Sequence, residues 1–390
     1  MTERLSKELE ELQREGMLRT IPRIDGTKKY IEFDGRRMLN LSSNDYLGLQ
    51  NNSALMEEFT KSCNGLYSLS STSSRLLTGN TSVSEQLEEK LAAIYGKEAA
   101  LLFNSGYHAN TGILPALTES DSLIIADKLV HASIIDGIKL SGCPFQRYRH
   151  NDYNHLESIL KKNAACHKDI FVVTEGIFSM DGDCADIPKL MELKRLYPNI
   201  ILYIDEAHAF GTRGTAGVGI ASETEGGVEA ADIIVGTFGK AICSVGAFAV
   251  CSQKVKDYLV NRCRPLIFST ALPPINIAWT LFVTERLGDF TQKREHLKKL
   301  SAYVRENLVK AGSSYSGVSS SNIIPYMTYT ADKSVLMAGE LRRRGFYLLP
   351  IRPPTVPVQT SRIRISLTAE ISLEEIKPLF KIITKIENQF

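Results

Sequence analysis

The sequence predicts an α/β protein in which a large domain with a central, mostly parallel sheet is followed by a smaller C-terminal α+β domain. From residue 99 onward, short apolar runs alternate with helical patterns, as in a repeated strand–turn–helix unit. At 390 residues the chain is too long for one simple core. Near residue 285 the pattern changes to charged helices that alternate with two strands. We therefore expect an N-terminal helix and hairpin segment (1–44), a large domain (45–284) and a small α+β domain (285–390).

The composition is that of an ordinary globular protein, and it argues against several classes of function. Apolar residues make up 43% of the chain, charged residues make up 23%, and the formal net charge is +2. This charge gives no reason to expect a nucleic-acid or membrane partner. The Glu-rich N-terminus lacks the apolar stretch of a signal peptide, so we expect a cytoplasmic protein. Seven cysteines without a C-x-x-C pair indicate reduced thiols, not a disulfide framework or a zinc site.

The first 82 residues contain a predicted helix, a hairpin and a long polar loop. Leucines recur at helical spacing among charged residues in 1–20. Polar and apolar residues alternate around Asp34 and Gly35, which is typical of a β-hairpin. Residues 62–82 are dense in Ser, Thr, Gly and Asn. A long polar loop in a compact protein usually serves a site or an interface.

In the large domain, two predicted strands are followed by turns with chemically useful residues. The strand at 100–103 leads through N-S-G-Y-H-A-N into a helix. Gly106 and Tyr107 would present backbone N–H groups at the N-terminus of that helix, which suits a phosphate. His131 follows the strand at 122–126, and by itself it fits a structural role as well as a functional one.

A lysine and an aspartate end two further buried strands. Residues 232–240 read D-I-I-V-G-T-F-G-K, a strand buried on both faces, a glycine bend and Lys240. The lysine fits a surface position, or an amine nucleophile whose pKa burial lowers. Asp205 ends the run N-I-I-L-Y-I-D, and His208 follows three residues later. A buried carboxylate needs a positive partner, which could be a metal, an arginine or a cationic cofactor nitrogen; the absence of a second ligand cluster argues against a metal.

These parts together fit the chemistry of pyridoxal 5'-phosphate (PLP). A lysine forms an imine with an aldehyde cofactor, and a buried aspartate keeps a pyridine nitrogen protonated. A helix N-terminus holds a phosphate, and an imidazole stacks on a flat ring. The order of phosphate turn, histidine, aspartate and lysine also matches the fold type I class of PLP-dependent transferases.

Seven motifs carry a resemblance to a specific family, the α-oxoamine synthases. They span residues 41 to 370 and read S-S-N-D-Y-L-G-L, S-R-L-L-T-G-N, F-N-S-G-Y-H-A-N, T-E-G-I-F-S-M-D-G-D, Y-I-D-E-A-H-A-F-G, G-T-F-G-K and R-I-R-I-S-L-T-A. The resemblance implies the PLP-dependent transferase fold type I, with a seven-stranded central sheet. It also implies a cytoplasmic homodimer with active sites at the subunit interface.

The resemblance assigns roles to individual residues. Lys240 would carry PLP and act as the base, Asp205 would pair with the ring nitrogen, and His131 would stack on the ring. His208 would hydrogen-bond the phenolic oxygen of the cofactor. The other positions that match cofactor contacts are Gly106, Tyr107, Ser179, Thr237 and, from the neighbouring subunit, Thr270. Arg364 would bind the amino-acid carboxylate with help from Asn44, and the further positions that match substrate contacts are Arg19, His131 and Thr355.

The loop R-P-P-T-V-P at 352–357 is most similar to members that make a biotin precursor from L-alanine and a pimeloyl thioester, carried on coenzyme A or on acyl-carrier protein. Members that use glycine with an acetyl group or serine with a long acyl chain are the alternatives, followed by a non-catalytic partner subunit and by a transaminase or lyase of the same fold. One departure is S-S-T-S-S at 70–74, where the family usually has glycines. Side chains there would narrow the approach of an acyl chain.

Overall fold

The structure, a computed structural model, describes residues 1–26, 29–63, 67–310 and 317–388. It comprises two compact units. The terminal unit contains Met1–Asn51, Met180–Asp183 and Glu295–Phe390, and the central unit contains Asn52–Ser179 and Cys184–Arg294. The domain division at 1–44, 45–284 and 285–390 remains a prediction. Parts of the predicted N-terminal segment (27–28), polar loop (64–66) and small domain (311–316 and 389–390) lie outside the described residues.

The strands of the described residues, numbered in chain order, are β1 (Tyr30–Phe33), β2 (Arg36–Asn40), β3 (Ala99–Phe103), β4 (Leu123–Asp127), β5 (Phe145–Tyr148), β6 (Ile170–Glu175), β7 (Ile200–Asp205), β8 (Ile233–Thr237), β9 (Ala247–Cys251), β10 (Ile323–Tyr329), β11 (Phe346–Tyr347), β12 (Pro350–Ile351) and β13 (Ser361–Ser366).

The α-helices of the same residues are α1 (Thr2–Arg14), α2 (Ser53–Cys63), α3 (Ser82–Tyr95), α4 (Gly106–Leu117), α5 (Ala132–Ser141), α6 (Tyr153–Asn163), α7 (Ile187–Leu196), α8 (Gly227–Ala230), α9 (Gln253–Arg262), α10 (Arg264–Ile267), α11 (Pro274–Glu285), α12 (Thr291–Lys310), α13 (Ala331–Arg343) and α14 (Leu373–Glu387). A π-helical turn at Arg75–Gly79 lies within the predicted polar loop. No helix among the described residues is both long and apolar enough to cross a membrane.

The central unit is built on a seven-stranded sheet formed by its described residues, in the order β3-β9-β8-β7-β6-β4-β5. Strands β8, β7, β6, β4 and β5 pair in parallel, and β9 runs antiparallel to both β8 and β3. Every residue of β3, β4, β6 and β9 is buried, as expected for strands covered on both faces. The prediction of an α/β fold with a mostly parallel sheet of seven strands is confirmed.

The register of the sheet places the predicted residues Asp205 and Thr237 along one edge, with Glu175 beside Asp205. Glu175 at the end of β6 pairs with Asp205 at the end of β7. Asp205 in turn pairs with Val235, two residues before Thr237 ends β8. Because these strands are parallel, their carboxyl ends share an edge, which is where open α/β sheets bind ligands.

The terminal unit contains two small sheets, in the orders β1-β2-β11 and β10-β13-β12. The predicted hairpin joins β1 to β2 through Asp34 and Gly35, whose φ angles of 48° and 69° are those of a type I′ turn. The predicted N-terminal helix is α1, and none of its residues is buried.

A short segment of the M-D-G-D motif packs into the terminal unit. Asp181 forms an ion pair with the buried Arg362 of β13. Gly182 accepts a hydrogen bond from the N–H of Ser320, at 3.1 Å. Its φ is 69°, and a Cβ atom there would lie 1.9 Å from the carbonyl oxygen of Ile323, so only glycine fits.

Glu206, which follows Asp205, is a fully buried carboxyl group in the central unit. Its Oε1 accepts a hydrogen bond from the N–H of Ala221 at 2.8 Å, whereas its Oε2 has no hydrogen-bond partner among the described residues. The carboxyl group fills space beside Gly176 and Gly219, where a Cβ atom would lie 2.1 Å and 2.8 Å away. Burial raises the pKa of Glu206 from 4.5 to about 7.

This raised pKa predicts a loss of stability between pH 4.5 and about 7. In the unfolded chain Glu206 loses its proton near pH 4.5, whereas in the folded protein it keeps the proton until about pH 7. The free energy of unfolding therefore falls as pH rises through this window, by about 3 kcal/mol in all. Glu206→Gln should reduce the pH dependence of the free energy of unfolding in that window, measured by urea titration at several pH values. The exposed carboxylate Glu225 gives the control Glu225→Gln. Equal slopes for the wild type and Glu206→Gln would contradict the prediction.

Candidate active site

The N-terminus of α4 forms one wall of the candidate site. Ser105 caps the helix, because its Oγ accepts a hydrogen bond from the N–H of His108 at 3.1 Å. Gly106 begins the helix, and a Cβ atom there would lie 3.9 Å from Cβ of Thr237. The helix therefore begins beside the end of β8. Its first N–H groups have no acceptor within the helix, which makes them suitable donors to a phosphate.

Tyr107 and Thr270, which the sequence analysis also predicts to contact the phosphate, are both exposed residues of the central unit. Tyr107 is half exposed, and its hydroxyl donates a hydrogen bond to Asp136 of α5. Thr270 is exposed; its carbonyl oxygen accepts a hydrogen bond from Asn104 at 2.8 Å, and its backbone forms an isolated bridge with Ser74. The bridge connects Thr270 to the S-S-T-S-S segment that departs from the family pattern.

Asp205 lies at the end of β7 with only 5% of its surface exposed. Its Oδ1 accepts a hydrogen bond from the N–H of Ala207 at 2.9 Å. Its Oδ2 accepts one from Nδ2 of Asn110, on α4, at 2.8 Å. The described residues contain no cluster of His, Cys, Asp and Glu that could hold a metal ion. Both of these donors are neutral, so they fix the carboxylate without cancelling its charge.

His131 is the N-cap residue of α5. Its Nδ1 accepts a hydrogen bond from the N–H of Ser133 at 3.2 Å, and it lies 2.8 Å from the Ser133 hydroxyl. Burial lowers the pKa of His131; the charge of Lys240 acts in the same direction and that of Asp205 acts against it. His131 is therefore neutral near pH 7, and a neutral ring suits stacking on a flat cofactor.

Lys240 is half buried in the turn after β8. The N–H of Cys243 donates a hydrogen bond to its carbonyl oxygen at 2.9 Å, and Cys243 has a left-handed φ of 53°. The charge of Lys240 lowers the pKa of both His131 and Glu175, and the charge of Asp205 raises the pKa of both. The structure therefore gathers the predicted lysine, aspartate and stacking histidine into one electrostatic cluster.

His208 and Ser179 occupy loops at the same edge. His208 is buried, and its carbonyl oxygen accepts a hydrogen bond from the Thr212 hydroxyl at 3.1 Å. Ser179 is half buried in the loop after β6. Thr237 donates its hydroxyl to the carbonyl oxygen of Gly246 at 3.0 Å. The cofactor roles assigned to these three side chains remain predictions.

The sequence analysis missed Glu175, Asn110 and Ser133 as site residues. Glu175 is buried opposite Asp205, and burial, followed by the charge of Asp205, raises its pKa well above the usual value. One signal was available for Glu175, because it ends a buried strand as Asp205 does. Asn110 and Ser133 lie inside helices α4 and α5, and their positions became significant only when the two helices packed together.

Apart from His131, which lies in the central unit, the predicted substrate residues lie in the terminal unit and form two pairs. Arg19 donates a hydrogen bond to the Thr355 hydroxyl at 2.6 Å. Arg364 of β13 donates two to Oδ1 of Asn44, at 3.2 and 3.3 Å. Tyr46, a fifth residue that the sequence analysis did not name, accepts a further bond from Arg364 at 3.2 Å and donates its own hydroxyl to Asn44 at 3.1 Å.

Comparison with known proteins agrees with this geometry. Residues 36–383 match the family of class I and II aminotransferases. A Neisseria meningitidis protein (serogroup C, strain FAM18), provisionally named 8-amino-7-oxononanoate synthase, is 52% identical over 372 residues, which cover 95% of this chain and 97% of the relative.

Two solved structures are similar throughout. A serine palmitoyltransferase variant from S. paucimobilis with bound PLP–myriocin is 26% identical, with a TM-score of 0.89, and the match covers 99% of this chain and 97% of that one. An 8-amino-7-oxononanoate synthase from Francisella tularensis is 27% identical, with a TM-score of 0.77, and covers 90% and 98% of the two chains. The chain belongs to the class I and II aminotransferase family and, within it, to the α-oxoamine synthases.

Proposed function

We propose that the protein is a PLP-dependent acyltransferase that condenses L-alanine with a pimeloyl thioester, with loss of CO2, to give 8-amino-7-oxononanoate and the free thiol carrier. The observation that carries the proposal is the 52% identity to a protein of that name along nearly the whole of both chains. The site of the central unit supports it, because a half-buried lysine and a charged, buried aspartate lie in one cluster with a neutral histidine.

The residues of the central unit fit PLP. Asp205 retains lone pairs for a protonated ring nitrogen, because one neutral donor among the described residues contacts each of its oxygens. The first turn of α4 and Thr237 suit the phosphate, and Gly106 leaves space between them. When bound, PLP supplies an electron sink that stabilises negative charge at the substrate Cα.

We assign proton transfer to Lys240. Its Nζ takes the Cα proton of alanine and later returns a proton to the same carbon of the product. His131 would contribute a flat, neutral ring that covers the cofactor without competing for that proton. His208 would hydrogen-bond the phenolic oxygen of the cofactor.

Arg364 is the proposed carboxylate anchor. Its hydrogen bonds to the Asn44 side chain and the Tyr46 hydroxyl orient the guanidinium, whose planar pair of donors matches a carboxylate. By holding the substrate carboxylate, Arg364 would fix the orientation of the bonds at Cα and therefore which of them breaks. Arg19 and Thr355, joined by their hydrogen bond, are the proposed contacts for the acyl substrate.

We further propose a cytoplasmic homodimer in which Thr270 reaches the phosphate of the partner's site. Two observations support the dimer. Thr270 is exposed, and the same unit has large exposed apolar side chains, among them Leu69, Leu77 and Phe268. Exposed apolar side chains of this size are typical of a surface that another molecule covers.

Measuring thiol release with matched substrates tests the reaction. Purified protein should turn over alanine with pimeloyl-coenzyme A or pimeloyl-acyl-carrier protein, and these two donors should be compared side by side. Glycine with acetyl-coenzyme A and serine with palmitoyl-coenzyme A test the alternative activities; the second is prompted by the structural similarity to serine palmitoyltransferase. Faster turnover with either pair than with alanine and a pimeloyl donor would overturn the proposal.

Lys240→Ala should lower turnover at least about a thousandfold, because it removes both the attachment point of the cofactor and the base. In the wild type, borohydride reduction should attach the cofactor permanently to the peptide that contains Lys240, as seen by mass spectrometry. Lys254→Ala, at an exposed lysine of the same unit, should behave as the wild type. Labelling of a peptide without Lys240 would remove this residue from its role.

Arg364→Ala should raise the KM for alanine about a hundredfold, because a two-pronged, charge-assisted contact contributes roughly 2–3 kcal/mol. The dissociation constant of PLP should change little. Arg364→Lys keeps the positive charge but loses the planar pair of donors, and should give an intermediate KM for alanine. Arg343→Ala is the control, since this arginine is exposed and pairs with Glu340 at 2.6 Å. An unchanged alanine KM in Arg364→Ala would contradict the assignment.

A further inference from the structure

Asn110 lies at the centre of a buried hydrogen-bond network beneath the candidate site. The residue is 1% exposed and projects from α4. Its Nδ2 donates to Oδ2 of Asp205 at 2.8 Å and to Oγ of Ser133 at 2.9 Å. Its Oδ1 accepts a hydrogen bond from the hydroxyl of Tyr203, on β7, at 2.5 Å. One amide therefore connects the sheet strand of Asp205 to helix α5.

The chemistry of these partners fixes the orientation of the amide. A carboxylate can only accept hydrogen bonds, so the NH2 group of Asn110 must face Asp205. The carbonyl oxygen then faces Tyr203, which satisfies it by donating its hydroxyl proton. Neither half of the amide can rotate without leaving a buried polar group unpaired, at a cost of about 1–3 kcal/mol.

The second amide proton determines the direction of the next hydrogen bonds. Because Ser133 Oγ accepts from Asn110, its own proton is available for Nδ1 of His131, 2.8 Å away. The backbone N–H of Ser133 also donates to that nitrogen, at 3.2 Å. Nδ1 of His131 is therefore an acceptor, and the ring proton of the neutral imidazole resides on Nε2.

Helix packing holds Asn110 in this place. Gly137 of α5 faces the backbone of Asn110, and a Cβ atom at Gly137 would lie 2.3 Å from the Asn110 carbonyl oxygen. Any larger residue would separate α5 from α4. The close approach brings Ser133, one helical turn before Gly137, within hydrogen-bond distance of the Asn110 side chain.

We propose that Asn110 is a positioning residue that sets both the orientation of the Asp205 carboxylate and the tautomer of His131. It acts through these two residues and need not touch a substrate. Its effect on the cofactor rests on the proposed roles of Asp205 and His131, whereas its effect on the His131 tautomer does not.

A double-mutant cycle on PLP affinity tests the first part. In full-length protein, Asn110→Ala should raise the dissociation constant of PLP about tenfold, a loss of about 1.4 kcal/mol. In the Asp205→Ala background the same substitution should have little effect, because the group on which it acts is gone. Asn163→Ala is the matched control, since Asn163 lies at the end of α6 and donates to the carbonyl oxygen of Ile159 at 2.7 Å. Equal changes in both backgrounds would show a merely structural role and overturn the proposal.

Nitrogen NMR of the histidine side chains tests the second part without any bound cofactor. In 15N-histidine-labelled protein, His131 should show an unprotonated Nδ1 and a protonated Nε2 near neutral pH, with its signal assigned from the spectrum of His131→Gln. Asn110→Ala should add a minor population with a protonated Nδ1, because the Ser133 hydroxyl is then free to accept and only the backbone N–H of Ser133 still favours the wild-type tautomer. A protonated Nδ1 in the wild type would overturn the proposal even if every Asn110 variant failed to fold. A correct tautomer without the predicted synthase activity would leave this inference standing and count only against the proposed function.

Discussion

The candidate site of the central unit depends on one buried carboxylate, Asp205, at the end of β7. Burying a carboxylate costs free energy, and hydrogen-bond donors in the folded protein reduce this cost. Here the donors are a backbone N–H and the amide of Asn110, at 2.9 and 2.8 Å. Both donors are neutral dipoles, so they orient the carboxylate without supplying a positive charge of their own. The parallel sheet supplies the position, and the packing of α4 against α5 supplies the donor.

The neighbouring carboxyl groups show why this concentration of charge can be tolerated. Glu175 and Glu206 are as buried as Asp205 and lie next to it, one across the sheet and one along the chain. Burial raises the pKa of both, and the charge of Asp205 raises it further. These raised pKa values favour the neutral form of both glutamates, which reduces the repulsion that a negative charge on Asp205 would meet. The positive charge of Lys240 lowers the pKa of Glu175, so the lysine belongs to the same electrostatic cluster.

Much of this arrangement could be predicted because strand ends are visible in a sequence. Apolar runs that stop at Asp205, at Thr237 and before His131 mark the carboxyl edge of a parallel sheet, and the structure places all three there. The direction of β9 could not be read from its residues, since its buried run resembles that of a parallel strand. Its direction follows from the nine residues between β8 and β9, too few for the crossover that a parallel neighbour requires. The role of Asn110 was invisible for a similar reason, because it depends on which helix meets α4.

Asp205 illustrates one difference between a charge that serves a site and charges that stabilise the fold. Arg362 pairs with Asp181, and Arg75 pairs with the buried Glu88, so these charges are met by opposite charges that stabilise the fold. Asp205 accepts its hydrogen bonds from the backbone N–H of Ala207 and from the amide of Asn110, which are both neutral. A neutral donor fixes the geometry of a carboxylate but does not cancel its charge. A carboxylate held in this way keeps most of its electrostatic energy for a cation, which is the property that a protonated ring nitrogen would require.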